Sequence, residues 1–154
     1  MLTLAASSPH SCRRAADRPI IVSVNESGLV EALRSLLSSA APEILAVYLY
    51  GSRARGEARA QSDVDLGILL HATPAAKLKS VARDVEAVVE RRLRLPAQAV
   101  VLNNASADLV HRVLRDGILL LDRDRIARIR FEVQSRNEYF DLAPVRRRYR
   151  RLPA

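Results

Sequence analysis

The stretch Gly51–Leu70, GSRARGEARAQSDVDLGILL, sets a glycine-serine turn, an arginine-bearing loop and two aspartates one residue apart between apolar runs. Before it, Ile44–Tyr50 (ILAVYLY) is apolar, aromatic and partly β-branched and stops at Gly51, which predicts a buried strand. The stretch closes with a second predicted strand, Val64–Leu70. Successive side chains of a strand point to opposite faces, so Asp63 and Asp65 share one side while Val64 and Leu66 enter the core. Two ionised carboxylates repel each other and favour a hard cation, most naturally Mg2+ bridging to phosphate oxygens. Gly51 and Ser52 leave the first strand where backbone N–H groups and a hydroxyl suit a polyphosphate, and glycine lets the backbone come close. Arg53, Arg55 and Arg59 add positive charge nearby. These parts fit metal-bound nucleoside triphosphate and in-line attack by an acceptor hydroxyl on phosphorus. Each part alone has an ordinary explanation as a turn, a strand edge or a solvated loop; their ordered coincidence carries the reading.

Outward from this segment the apolar spacing alternates between helix and strand. From Asn25, an expected N-cap, Leu29, Val30, Leu33, Leu36 and Leu37 follow helical spacing up to Pro42. Ile20–Val22 is either a short strand or a lead into that helix. Between Pro74 and Pro96, Leu78, Val81, Val85, Val88, Val89 and Leu93 predict a second amphipathic helix. Gln98–Leu102 reads as a third strand. Ser106 caps a helix with Leu109, Val110, Val113 and Leu114 inward and Gly117 at its end, and Ile118–Leu121 is a candidate fourth strand. Residues 124–140 are expected to form a last helix. The fold class expected is α/β (α+β), a small mixed sheet with helices packed against it. The organisation expected is a disordered or extraneous segment over 1–19, one domain over 20–122 and a helical, arginine-rich extension over 123–154.

Charge is uneven along the chain. Residues 1–19 carry +2, residues 20–122 hold twelve basic and twelve acidic residues, and residues 123–154 hold ten Arg against four acids, which together make the net +8. Such a basic tail meets an acidic protein, binds RNA through salt-sensitive phosphate contacts, or is simply a solvated face. Aromatic residues at 4% leave few stacking platforms, which disfavours RNA. No apolar run reaches the roughly 20 residues of a membrane span and the N-terminus lacks the order of a secretory signal, so a cytoplasmic protein is expected. Cys12 is the only cysteine, which sets aside disulfides and thiolate metal cages.

Gly51-Ser52, the ten residues Arg53 to Ser62, then Asp63-Val64-Asp65 resemble the signature of the DNA polymerase beta-like nucleotidyltransferase superfamily, and more narrowly the minimal nucleotidyltransferases. The ending LVHRVLRDGILLLDRDRIARIRFEVQSRNEYFDL is similar to the antitoxin branch, the MNT partners of HEPN ribonuclease toxins. The resemblance implies a nucleotidyltransferase fold, ATP as substrate, Mg2+ as cofactor and AMP transfer to a tyrosine of a HEPN-type toxin, with pyrophosphate released. It implies that Gly51 and Ser52 hold the triphosphate and that Asp63 and Asp65 bind metal. The loop residues Arg53, Arg55 and Ser62 are the further nucleotide contacts expected. In one respect the chain departs from the pattern: the superfamily's third carboxylate falls on Gln98, and Arg91 to Ala107 contain no Asp or Glu. Glutamine offers a metal one neutral oxygen and cannot act as a base. An inactive module that neutralises its partner by binding is therefore the alternative. Transfer to a small molecule is a weaker one, because the residues after Asp122 leave little room for an acceptor domain. His71 and His111 read as structural or exposed positions, Tyr139 as a core residue and Tyr149 as a tail residue.

Overall fold

β1 (Ile44–Tyr50) is the strand on which the sheet is assembled, and its burial follows from its composition: every residue but Tyr50 is buried. An all-apolar strand must be covered on both faces and flanked on both edges. In the computed structural model, which describes residues 26–71 and 75–142, β1 pairs antiparallel with β2 (Val64–Leu70) on one side and with β4 (Ile118–Asp122) on the other. β3 (Ala97–Val101) runs parallel to β2, giving the order β3-β2-β1-β4. Parallel neighbours need a long crossover, supplied by α3 (Ala75–Leu93). The other helices are α1 (Glu26–Leu37), the short α2 (Gly51–Ala54), α4 (Ala107–Asp116) and α5 (Arg125–Asp141), with a 3-10 turn at Leu102–Asn104.

Strand alternation divides the core in two. Val47, Leu49, Val64, Leu66, Ile68 and Leu70 face α1 and α3, where Leu29, Leu33, Leu37, Val81, Val85 and Val89 complete an aliphatic layer. Leu45, Ala46, Tyr48 and Leu69 face the other way, against Leu102 and the α4 residues Val110 and Val113. α4 lies close to that face: a Cβ on Gly67 would stand 3.1 Å from Val113 Cγ1 and 3.2 Å from Leu102 Cδ2.

The predicted limits of β1 and β2 agree with the structure, and Ser106 caps α4 by accepting from the Leu109 N–H. β3 starts one residue earlier than expected. Gly117 ends α4 with an ordinary φ of −79°; its glycine is required because a Cβ would meet the Val113 carbonyl oxygen at 2.3 Å. Asp124 caps α5 through the Ala127 N–H. Beside that cap, Arg123 Nη1 and Nη2 donate to the carbonyls of Ala41 and Ala40 at 2.5 and 2.7 Å, tying the start of α5 to the turn after α1. Tyr48 donates to Glu132 Oε1 at 2.8 Å, and Arg128 bridges Asp122 and Glu132. Burial and then the Glu132 carboxylate hold the Tyr48 hydroxyl above its usual pKa range. The expectations for Ile20–Val22, Asn25, residues 1–19 and Tyr149 lie outside the described residues. Among the described residues no helix is long and apolar enough to cross a membrane.

Candidate active site

The candidate site forms where the C-terminal end of β1 meets the N-terminal ends of β2 and β3. There the chain turns at Gly51, which has φ +75°, a conformation open to glycine and strained for other residues. A second reason is steric: a Cβ on Gly51 would lie 2.1 Å from Asp65 Oδ2. The turn and the carboxylate are therefore in close approach. Residues expected to form a plain turn instead make α2, and the Ser52 carbonyl accepts from the N–H groups of Arg55 and Glu57.

Asp65 stands opposite Tyr50 in the antiparallel ladder and opposite Gln98 in the parallel one, so these three side chains form a row across one face of the sheet. Asp63 lies one residue before β2, and its Oδ2 accepts from Gln98 Nε2 at 2.9 Å. The geometry thus brings together Asp63, Asp65 and Gln98, and it puts Gln98 beside the acid pair. Burial raises the Asp65 pKa, the Asp63 charge raises it further, and Arg53 and Arg55 oppose the shift. Among the described residues no group of three or more His, Cys, Asp or Glu is placed to hold a metal ion.

The structure gives three of the expected positions contacts of their own. Arg53, expected as a phosphate contact, is only 2% exposed. Its Nε donates to the carbonyls of Ser62 and Asp63 at 2.9 and 3.2 Å, so its guanidinium braces the backbone entering β2. The physical reason is local: two carbonyls turned inward at the loop end need a donor, and a buried guanidinium satisfies both. Ser62 Oγ accepts from the Arg59 N–H, which makes it a loop clasp. Arg55 remains exposed, paired with Glu57 at 2.9 Å. The correction is to His111, expected on an exposed helix face: its ring stacks on Tyr139 at 3.7 Å with Phe140 edge-on. Tyr139 is half-buried in that stack, and His71 is exposed.

Two neighbours of the site add to the residues expected from the sequence. Burial raises the pKa of Tyr50, the Asp65 charge adds to it, and Arg112 of α4 opposes it. Tyr50 is legible from the period of two, since it shares a face with Asp65. Arg112 is not, because its position depends on how α4 crosses the sheet.

A family model described as "Polymerase beta, Nucleotidyltransferase" matches residues 31–126. No curated protein matches the chain. Among solved structures, the chain is similar to one of a toxin–antitoxin with AMP-PNP, at 22% identity and TM-score 0.61, covering 82% of this chain and 95% of that one. It is similar at 19% identity and TM-score 0.58, covering 81% and 95%, to a chain of the complex of tri-AMPylated Shewanella oneidensis HEPN toxin with MNT antitoxin. It also resembles a structure described as a minimal nucleotidyltransferase, at 26% identity and TM-score 0.52, covering 62% and 96%. The matched residues run from within α1 to the start of α5 and include Gly51, Asp63, Asp65 and Gln98, and on that match the chain belongs to the polymerase beta nucleotidyltransferase family.

Proposed function

We propose that this protein is an adenylyltransferase antitoxin, moving AMP from ATP to a tyrosine hydroxyl of a HEPN-type toxin in the cytoplasm. The observation that carries the reading is the close approach of the Gly51 turn to Asp65, with Asp63 alongside. It is supported by the likeness to chains of complexes described with AMP-PNP and with an AMPylated HEPN toxin. Ser52 and the backbone N–H groups after Gly51 hold the triphosphate, and Arg55 screens it from the exposed side. Hard carboxylate oxygens beside a phosphate cradle fit Mg2+, with Asp63 and Asp65 as its protein ligands. When bound, the cation neutralises charge on the reacting phosphate oxygens.

In the reaction the tyrosine oxygen attacks the α-phosphorus, the bond from that phosphorus to the bridging β-oxygen breaks, and pyrophosphate leaves. The phenol proton passes to water: Gln98 has no titratable group to take it, and Asp63 and Asp65 are engaged as the metal's ligands on this reading. Arg53 holds Ser62 and Asp63 in place and thereby aims the two carboxylates. The test is to incubate the full chain with ATP, Mg2+ and the HEPN-type protein of the adjacent reading frame. One added AMP mass on a partner tyrosine is expected, lost in Asp63→Ala and in Asp65→Ala. Absence of transfer by the wild-type chain at any Mg2+ concentration sinks the reading.

A second reading has its own observation: the Gln98 amide donates to Asp63, so part of one carboxylate's capacity is already engaged. On this reading the protein neutralises its partner by occupation. Inhibition would then survive Asp63→Ala with Asp65→Ala, and Gln98→Asp would bring out transfer that the wild-type chain lacks.

A further inference from the structure

α5 is apolar on two opposite sides. One side is spent inside the fold: Ala127 and Phe131 join the smaller core, Ser135 is 7% exposed, and Glu132 takes the Tyr48 hydrogen bond. The opposite side carries Ile126, Ile129, Val133 and Phe140, which at steps of three, four and seven form one stripe along the helix. They are 66%, 41%, 51% and 62% exposed. Exposed single apolar residues are ordinary, but a continuous helical stripe of this kind marks a surface that another protein covers. Arg125, Arg130 and Arg136 are exposed along its margins.

From this arrangement we infer that the outer face of α5 docks the acceptor protein, through an apolar helix of that partner edged with Asp and Glu. The inference rests on the proposed transfer to a protein tyrosine. Charge selects the occupant. On this face of the described helix the exposed Arg125, Arg130 and Arg136 outnumber Glu138 and Asp141, so a second copy of this chain would present the same net positive charge. An acidic helix meets no such repulsion, and its apolar residues match the stripe in the manner of helix-on-helix recognition. Position agrees. The C-terminal end of α5 holds the Tyr139–His111 stack against α4, Phe140 of the stripe stands edge-on to both rings, and α4 packs in turn on α2 of the motif loop. The Phe140 end of the stripe is thus joined through α4 to the motif loop.

The experiment measures binding of the adjacent-frame HEPN-type protein to the full chain by calorimetry, with AMP-PNP binding and thermal unfolding measured in parallel. The double variant Ile129→Asp with Val133→Asp is expected to weaken partner binding at least about thirtyfold, as for central interface residues. Its AMP-PNP affinity and unfolding midpoint stay at wild-type values. Arg130→Glu with Arg136→Glu is expected to slow association and to flatten its dependence on salt. Partner binding by the stripe variant equal to wild type overturns the inference while leaving the transfer reading intact. A wild-type chain that does not bind the partner sinks that reading, and the inference with it. A wild-type dimer that Val133→Asp converts to monomer assigns the stripe to self-association and overturns the inference. So does a fall in unfolding midpoint in Val133→Asp with partner binding unchanged, which would mean that a segment of the same chain covers the stripe.

Discussion

The two faces of the sheet are made from the same strands, yet they are organised differently. Toward α1 and α3 the layer is almost purely aliphatic, with Leu33, Val47, Leu49, Val64, Leu66 and Ile68 fully buried. Toward α4 and α5 the apolar layer is smaller. It is edged by the Tyr48–Glu132–Arg128 network and opens at one end into the row Tyr50, Asp65 and Gln98. The difference teaches that stability and chemistry are placed on alternate residues of a single strand. In β2, Val64 and Leu66 hold the fold, while Asp65 between them faces the other side, where the proposed chemistry lies.

That separation can be broken by substitution. Leu33→Ala, in the aliphatic layer, is expected to cost about 2–5 kcal/mol in urea unfolding while leaving AMP-PNP affinity of the folded protein unchanged. Coupled loss of affinity would show that the two faces are not independent. Arg53→Met should cost about 1.5–3 kcal/mol, because two carbonyls lose a charged donor. A phosphate-binding arginine would instead lower nucleotide affinity with little change in stability, so the ratio of the two effects decides the role of Arg53. Gly51→Ala should cost at least about 1 kcal/mol from backbone strain and steric conflict with Asp65, and should reduce nucleotide binding more than its stability loss accounts for.

The smallest effect is the most discriminating. The folded-state pKa of Asp65 is raised, so its contribution to stability is present when it is protonated and is lost as pH rises through that pKa. Asp65→Asn, permanently neutral, should raise the unfolding midpoint in metal-free buffer at neutral pH, with the gain fading as pH falls to about 4. An equal gain at both pH values would point to packing rather than charge.

Much of this organisation is legible along the chain, for reasons that differ from residue to residue. β1 and β2 are legible because apolar strands end at residues that cannot continue them, Gly51 on one side and Ser62-Asp63 on the other. Gln98 is marked by the family resemblance rather than by its own strand pattern, and the ladder sets it opposite Asp65. Arg53 is not legible, since nothing local says that the carbonyls of Ser62 and Asp63 turn toward it. The His111–Tyr139 stack is hidden for a similar reason, as it depends on the direction in which α5 crosses α4. α5 itself reads as a weak helix because its apolar residues are divided between two faces, and no single amphipathic stripe emerges.

The contact of Arg123 with the carbonyls of Ala40 and Ala41 bears on where the chain can be cut. The basic extension looks removable from its charge alone. Its first residue, however, holds closed the bend between α1 and the central strand, 82 and 83 residues away along the chain. A shortened protein that ends before Arg123 would leave that bend without its clasp, and a cut just after it would still remove Phe131 from the smaller core and Glu132 from its hydrogen bond with Tyr48. The residue that begins the tail belongs, mechanically, to the body.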